Sequence, residues 1–454
     1  MNDPSKKVEL KRQLSLFDAV CIVVGIIIGS GFYGACHLVT EQFSSLGALI
    51  LVWILGGVIG LIGALCYAEL ATKYPGEGGD YLYLSKAYGP RMGMFFSWCQ
   101  FWVVRPGNIG AMAFVFAQYA NQLFDLGDRS SLIYSIGSVV VLTAMNSFGV
   151  RSGKWVQNLL TSVKVVGLLA IVIVTLVLAS PPDDVANRIQ PVATPDFHLA
   201  VIMVLFAYGG WNDIAFVTAE MKNPQKNIFR GLLLGVAIVT ILYVLLTVAF
   251  VYAMGLEGAS QRGVAANLLK LLLGDWGSRI ISLMICISCL GAMNGMIFAG
   301  ARIYYAIGCD YPRLSWLGKW NLRFDAPLRT LVLQGLIIVM LIVGTTNPWL
   351  GSEGDEFEVM VYFTTPFFFF FFLLSAISLL ILRDKDVKLE GYRAPFHPLM
   401  PVLFGSFCVY LIYSGVTHLL KEVDPNALPF EIWWCIATIF CGVLASIVLA
   451  KRAD

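Results

Sequence analysis

Histidine is scarce in this chain: four residues in 454, His37, His198, His397 and His418, scattered from end to end. There is no Ser–His pairing, no His-rich cluster and no repeated Asp motif. That argues against a membrane-embedded enzyme, a metal centre or a bound cofactor. Charge is also scarce, at 13% of residues, and the formal net charge is only +2, so nucleic acid is not an expected partner. Ten cysteines are present, but all fall within or at the ends of apolar stretches and none in a candidate outer loop. No disulfide framework is expected from them. Cys286 and Cys289 have the C-x-x-C spacing, yet they sit at membrane depth without histidine neighbours and read as small apolar filler.

What the chain has in abundance is hydrophobic residues, 58% of the total, with a mean hydropathy of +0.76. A helix needs about 20 apolar residues to cross a bilayer. Twelve such stretches are legible: 16–39, 46–72, 92–124, 131–149, 156–180, 198–221, 231–256, 276–308, 328–346, 359–382, 399–420 and 430–450. The first is too long and too glycine-broken for a cleaved signal peptide. Basic residues occupy alternate connections, among them Lys6, Lys11, Lys73, Lys86, Arg151, Lys154, Lys222, Arg230, Arg313, Arg383 and Lys451. The opposite connections carry Asp125, Asp128, Asp183, Asp196, Glu353, Glu358 and Asp424. By the positive-inside rule both termini are cytoplasmic, in the cell membrane. Residues 1–15 and 451–454 are then cytoplasmic tails. Asp80–Tyr88 reads as an amphipathic helix at the cytoplasmic face. The Phe367–Phe372 run reads as lipid or packing surface.

Two hydrophobic spans are interrupted by glycine. Span 1 contains Gly29-Ser30-Gly31 and span 6 contains Gly209-Gly210, 180 residues later. Glycine in membrane helices often serves close packing, and Gly56-Gly57 and Gly60 in span 2 read that way. Matching interruptions in two halves of a bundle instead point to broken helices around a substrate site. Spans 1–5 (16–180) and 6–10 (198–382) then form two repeats of opposite topology, with spans 11 and 12 (399–450) outside them. A half-helix start offers free N–H groups to a carboxylate, and a half-helix end offers carbonyls to an ammonium. One site with both suits a zwitterion, so an amino acid is the expected substrate. Trp211-Asn212-Asp213 follows the second break, and polar groups at membrane depth are costly and usually functional.

At these residues the chain resembles the L-type amino acid transporter family, within the amino acid–polyamine–organocation superfamily. The resemblance is carried by Gly25-Ile26-Ile27-Ile28-Gly29-Ser30-Gly31, by Tyr67-Ala68-Glu69-Leu70 with Gly78-Gly79-Asp80-Tyr81, and by Arg105-Pro106. It continues through Val156-Gln157 with Lys164, Phe206 to Asn212, Glu220-Met221-Lys222-Asn223-Pro224 and Ser288 to Gly295. It implies an all-α integral membrane fold of the LeuT type, a five-plus-five inverted repeat with spans 1 and 6 broken. It implies that N–H groups of Ser30 and Gly31 hold the substrate carboxylate. Carbonyls of Ile27, Phe206 and Gly209 would hold the ammonium, with Gly29 and Ala207 beside them. Phe206 would cover the site and Asn212 would line its side-chain end. Lys164 would stand where sodium-dependent relatives bind sodium, tethering span 1 to span 8, with Ser288 a candidate partner. As a buried lysine it is alternatively a structural anchor or a proton site.

Phe32, Tyr33, Arg105, Tyr208, Asp213 and Met293 are selectivity or gating positions. For Arg105 a structural or gating role is favoured over direct recognition. Asp213 has three readings: attracting a cationic side chain, binding a proton, or pointing away. Glu69 and Glu220 read as partners of basic residues at the cytoplasmic face. Animal L-type transporters carry a cysteine between spans 3 and 4 that joins a heavy chain. Here the loop is Asp125-Leu126-Gly127-Asp128-Arg129-Ser130, so no disulfide-linked heavy chain is expected. The reading is a sodium-independent exchanger of neutral L-amino acids working by alternating access. A proton-coupled amino acid or polyamine symporter is the alternative, with Lys164, Asp213 and Glu220 as proton carriers. A non-transporting nutrient sensor is the alternative from another class.

Overall fold

The computed structural model describes residues 11–29, 31–76, 78–180, 197–261, 263–346, 356–385, 392–422 and 430–449. Among them the regular elements are all helices, apart from the isolated bridges Leu14–Met221 and Asn321–Ala326. Ten helices are long and apolar enough to cross a membrane, and the bent pair Leu16–Ile27 and Gly31–Thr40 makes an eleventh span. The remaining expected span, the third, is a run of helix from Pro90 to Leu123 whose middle turn, Gln100–Val104, is π-helical. It carries Gln100, Arg105 and Asn108, which is why it reads as less apolar than its neighbours. The chain is a multi-pass membrane protein.

Observed helix ends lie close to the expected ones: Leu46–Lys73, Ser130–Ser147, Val150–Leu178, Asp275–Asp310 and Leu328–Thr345 are representative. The largest departure is span 7, which begins at Pro224 and not at 231. Proline at a first helical turn lacks only an N–H that would be unpaired there anyway. A short helix, Val264–Leu273, was not anticipated; it lies between spans 7 and 8.

Burial sorts the spans into centre and rim. In span 8, 72% of the apolar window is buried inside the protein, and in span 6, 67%, against 22% in span 12. Val166, Ile173 and Val177 of span 5 and Trp433, Phe440 and Ile447 of span 12 point outward, where acyl chains would cover them. The glycines of span 2 serve packing as expected. A Cβ on Gly56 would fall 2.2 Å from Val204 Cγ1 and one on Gly57 2.3 Å from Thr240 Oγ1. Span 2 therefore lies close against spans 6 and 7, and a methyl group at either position has no room.

The basic face is closed by the segment that leads into span 1. Gln13 and Leu14 N–H groups both donate to the Glu220 carbonyl (2.8 and 2.9 Å), and Lys222 N–H donates to Leu14 O at 2.8 Å. Ser15 and Asp18 form a capping box at the start of span 1. Asp18 also takes Asn158 Nδ2 at 2.5 Å and Lys154 Nζ at 3.4 Å, both from span 5. Glu69 accepts from Ala394 N–H at 2.8 Å and pairs with Lys73 and Arg383, each at 3.3 Å. That is the ion-pairing role expected of it.

Candidate functional site

Span 1 stops being helical because its hydrogen-bond ladder closes on itself. Ile28 still donates to Val24 O, but Gly29 N–H turns back to Ile27 O at 2.8 Å. The carbonyls of Gly25, Ile27 and Ile28 are left facing inward, and side chains from three other spans reach them. Lys164 Nζ, wholly buried on span 5, donates to Gly25 O at 2.9 Å and also to Ile28 O. Ser288 Oγ of span 8 donates to the same Ile28 carbonyl at 2.9 Å. Lys164 and Ser288 thus meet at a shared acceptor and not at each other. Gly291 leaves the space for this amine, since a Cβ there would sit 3.3 Å from Lys164 Nζ.

Span 6 breaks by a different device. Its helix Phe197–Ala207 ends, Gly209 N–H returns to Phe206 O at 2.9 Å, and Gly210 takes φ +102°, a conformation that favours glycine. The chain resumes as a 3₁₀ helix, Trp211–Glu220, and not as the α-helix the sequence suggested. The two breaks touch. A Cβ on Gly31 would lie 3.3 Å from Ala207 Cα, and one on Gly210 would lie 2.6 Å from Ile26 Cγ2. Tyr243 of span 7 binds both, its hydroxyl 3.2 Å from Ile27 O and 3.0 Å from Ala207 O. The sequence reading missed this residue; a lone tyrosine in an apolar span carries no signal of its own.

Between the breaks lies a cavity of about 60 Å³. Of the expected residues, Ile27, Gly31, Phe206, Gly209, Asn212, Arg105 and Asp213 line it. Ser30 lies outside the described residues. Gly29 and Ala207 belong to the breaks but do not line the cavity.

Four of the expected selectivity or gating positions lie off the cavity wall. Phe32 stacks on Tyr243 (centroids 4.4 Å apart) beside Trp53, behind the breaks. Tyr208 donates to Trp53 O at 2.9 Å. Met293 takes Ser138 Oγ on its sulfur at 3.9 Å, facing span 4. Tyr33 is buried with its hydroxyl unpartnered among the described residues and is not part of the cavity wall. The Phe367–Phe372 run is likewise not mere surface: Phe368 and Phe369 line the cavity.

Asp213 is not free to meet a substrate cation. Arg105 binds it through both oxygens, at 2.5 and 2.6 Å, and both residues are almost wholly buried. The Arg105 guanidinium also lies over the Phe216 ring, 4.8 Å from its centroid. Glu220 is held the same way by Arg302, at 2.7 and 3.3 Å. Its partner therefore comes from span 8 and not from a loop.

The π turn of span 3 follows from Pro106. Proline has no N–H for the carbonyl four residues earlier. That carbonyl, Trp102 O, is taken instead by the Trp434 indole at 2.7 Å. Arg105 N–H then reaches back five residues to Gln100 O. The turn puts Gln100, Arg105 and Asn108 on the cavity wall, opposite Thr364, whose hydroxyl donates to Asn108 Oδ1 at 3.1 Å. None of Gln100, Asn108, Met112, Met296 or Thr364 was singled out from the sequence. Only Pro106 hinted at the local geometry.

Comparison with known proteins agrees with this architecture. An amino acid permease family profile matches residues 14–444. The human b(0,+)-type amino acid transporter 1 is 28% identical over 449 residues, 97% of this chain and 88% of its own length. The serine/threonine exchanger SteT of Bacillus subtilis (strain 168) is 30% identical over 410 residues, 88% of this chain and 90% of its own. The mouse large neutral amino acids transporter small subunit 2 is 31% identical over 351 residues, 74% of this chain and 65% of its own. The chain belongs to the amino acid permease family, among the L-type amino acid transporters of the amino acid–polyamine–organocation superfamily.

Proposed function

We propose that this protein exchanges neutral L-amino acids across the cell membrane without sodium, both termini being cytoplasmic. The observation that carries the proposal is Lys164. Its ammonium is bound to two carbonyls of the span 1 break, so a fixed positive charge organises the site and no bound sodium is required. In this reading the substrate carboxylate meets N–H groups at the start of the Gly31–Thr40 half-helix. The ammonium meets the Phe206 and Gly209 carbonyls. The Ile27 carbonyl already receives Gly29 N–H and Tyr243 O–H, so its part is to fix the break. Phe206, half-buried on the cavity wall, covers the substrate.

The buried pairs favour exchange over proton symport. Asp213 and Glu220 are each held through both oxygens by a buried guanidinium, so both carboxylates are committed to fixed ion pairs. They also favour exchange over net flux. Opening the basic face must break the contacts of Gln13, Leu14, Asp18 and Glu220, and bound substrate supplies the compensating interactions. The names of SteT and the b(0,+)-type relative agree with amino acid carriage, the former with exchange. The 125–130 connection lacks a cysteine, so the protein works without a disulfide-linked heavy chain.

The test is uptake of labelled neutral amino acids into proteoliposomes, empty or preloaded with unlabelled amino acid, in sodium or choline. Uptake that requires preloading and is equal in both salts is expected. Uptake into empty vesicles overturns exchange, and stimulation by an inward proton gradient supports the symporter instead. Binding with no flux under any condition supports a sensor.

A further inference from the structure

Besides the main-chain groups of the two breaks, the cavity has a wall of polar side chains. Gln100 and Asn212 both line it, and they are only 4% and 3% exposed. Gln100 Oε1 and Asn212 Oδ1 are buried and have no hydrogen-bond partner among the described residues. Buried side-chain polar groups in proteins are overwhelmingly paired, so two unpaired amide oxygens on one cavity call for a ligand. A carboxamide can turn either its oxygen or its NH₂ inward, so each can accept from a hydroxyl or donate to a carbonyl. Asn108 and Thr364 continue the same wall. Among the described residues Arg105 Nε is also unpartnered, but Arg105 flanks Gly300 together with the likewise unpartnered amide of Gln334, on the side of span 9.

We propose that Gln100 and Asn212 form a subsite for the polar end of the substrate's side chain. The carrier then prefers neutral amino acids with a short hydroxyl or carboxamide side chain over apolar ones of the same shape. The inference rests on the reading of this cavity as the amino acid site. The π turn makes the subsite. By pairing Arg105 N–H with Gln100 O it places Gln100 on the same stripe of span 3 as Arg105 and Asn108. Gln100 is a specificity residue in this proposal, and the main-chain groups of the breaks bind the part common to all amino acids.

The experiment uses near-isosteric pairs. Labelled threonine and labelled valine are each offered to proteoliposomes holding the full chain and preloaded with the same amino acid. Asparagine and leucine serve as a second pair of competitors. One net hydrogen bond predicts that threonine is preferred over valine by about tenfold, and asparagine over leucine by a similar factor. Gln100→Met keeps the length and removes the polar end. It is expected to bring the threonine-to-valine ratio to within about threefold. Equal competition by threonine and valine in the unaltered protein overturns the subsite, whether or not the variant folds. A Gln100→Met variant that folds and loses threonine and valine exchange equally also overturns it. Exchange of all four amino acids with flat selectivity leaves the carrier reading standing and sinks only the subsite. No exchange of any of them sinks both.

Discussion

Replacing Lys164 by methionine is the sharpest perturbation of the span 1 break. Methionine matches much of the lysine stem but removes the charge and the donors. Two bonds are lost, to Gly25 O at 2.9 Å and to Ile28 O. Hydrogen bonds from a charged donor contribute about 1.5–3 kcal/mol each, so roughly 3–6 kcal/mol of organisation disappears from the break. Against this stands the desolvation of a buried ammonium, which costs several kcal/mol and is relieved by the substitution. The two terms largely offset in overall stability. They do not offset at the site, because the freed carbonyls of Gly25 and Ile28 no longer have a fixed partner. If the competent break is disfavoured by only about 2 kcal/mol, exchange falls by roughly 30-fold. The assay is exchange in preloaded proteoliposomes, with the melting temperature in detergent as the control for folding. A well-folded Lys164→Met protein that exchanges within threefold of the unaltered one would refute the reasoning.

Three further outcomes follow from the same geometry. Tyr243→Phe keeps the stack on Phe32 but removes the hydroxyl shared by Ile27 O and Ala207 O. Exchange should fall by about 3- to 10-fold, with little change in melting temperature, in line with the 0.5–1.5 kcal/mol of a neutral hydrogen bond. Gly210→Ala forces a Cβ to 2.6 Å from Ile26 Cγ2 at a φ of +102°, and more than tenfold of exchange should be lost. Gly60→Ala, where the nearest atom is 3.7 Å away, should stay within twofold and serves as its control. Asp80, on the helix between spans 2 and 3, gives a pH signature. Burial raises its carboxyl from the ordinary 3.8 to about 6, opposed by the Ser375 hydroxyl and the Arg105 charge. The folded chain holds this proton more tightly than the unfolded one. The stability it contributes is therefore complete below pH 3.8 and lost as pH rises through about 6. The loss is worth roughly 3 kcal/mol at neutral pH. Asp80→Asn removes the titration, so its melting temperature relative to the unaltered protein should be higher at pH 7.5 than at pH 5. An equal difference at both values would contradict the assignment.

The spans were legible because lipid imposes a single rule on every one of them. Each must run about 20 apolar residues with its backbone bonded internally, and that rule leaves a mark in composition alone. The breaks were legible for a related reason: Gly29, Gly209 and Gly210 interrupt that composition at corresponding places. What was hidden depends on which face of a helix meets which neighbour. Asp213 kept three readings from the sequence because nothing there says that Arg105, 108 residues earlier, is its partner. Phe32, Tyr208 and Met293 sit beside functional residues in sequence, yet helical rotation turns them into the aromatic cluster around Tyr243 or toward span 4. Gln100 and Thr364 reach the cavity because a π turn and a packed span 10 aim them there. The 3₁₀ form of Trp211–Glu220 left no trace either, since its residues fit an α-helix equally well.

The central claim is that an amino acid binds between the two breaks. An experimental structure of the protein in a bilayer mimetic, determined with threonine and again without it, tests this most directly. The account predicts added density in the cavity lined by Gly31, Phe206, Gly209 and Asn212, its carboxylate at the start of the Gly31–Thr40 half-helix. Ordered substrate anywhere else in the bundle, with this cavity unchanged between the two structures, would contradict it.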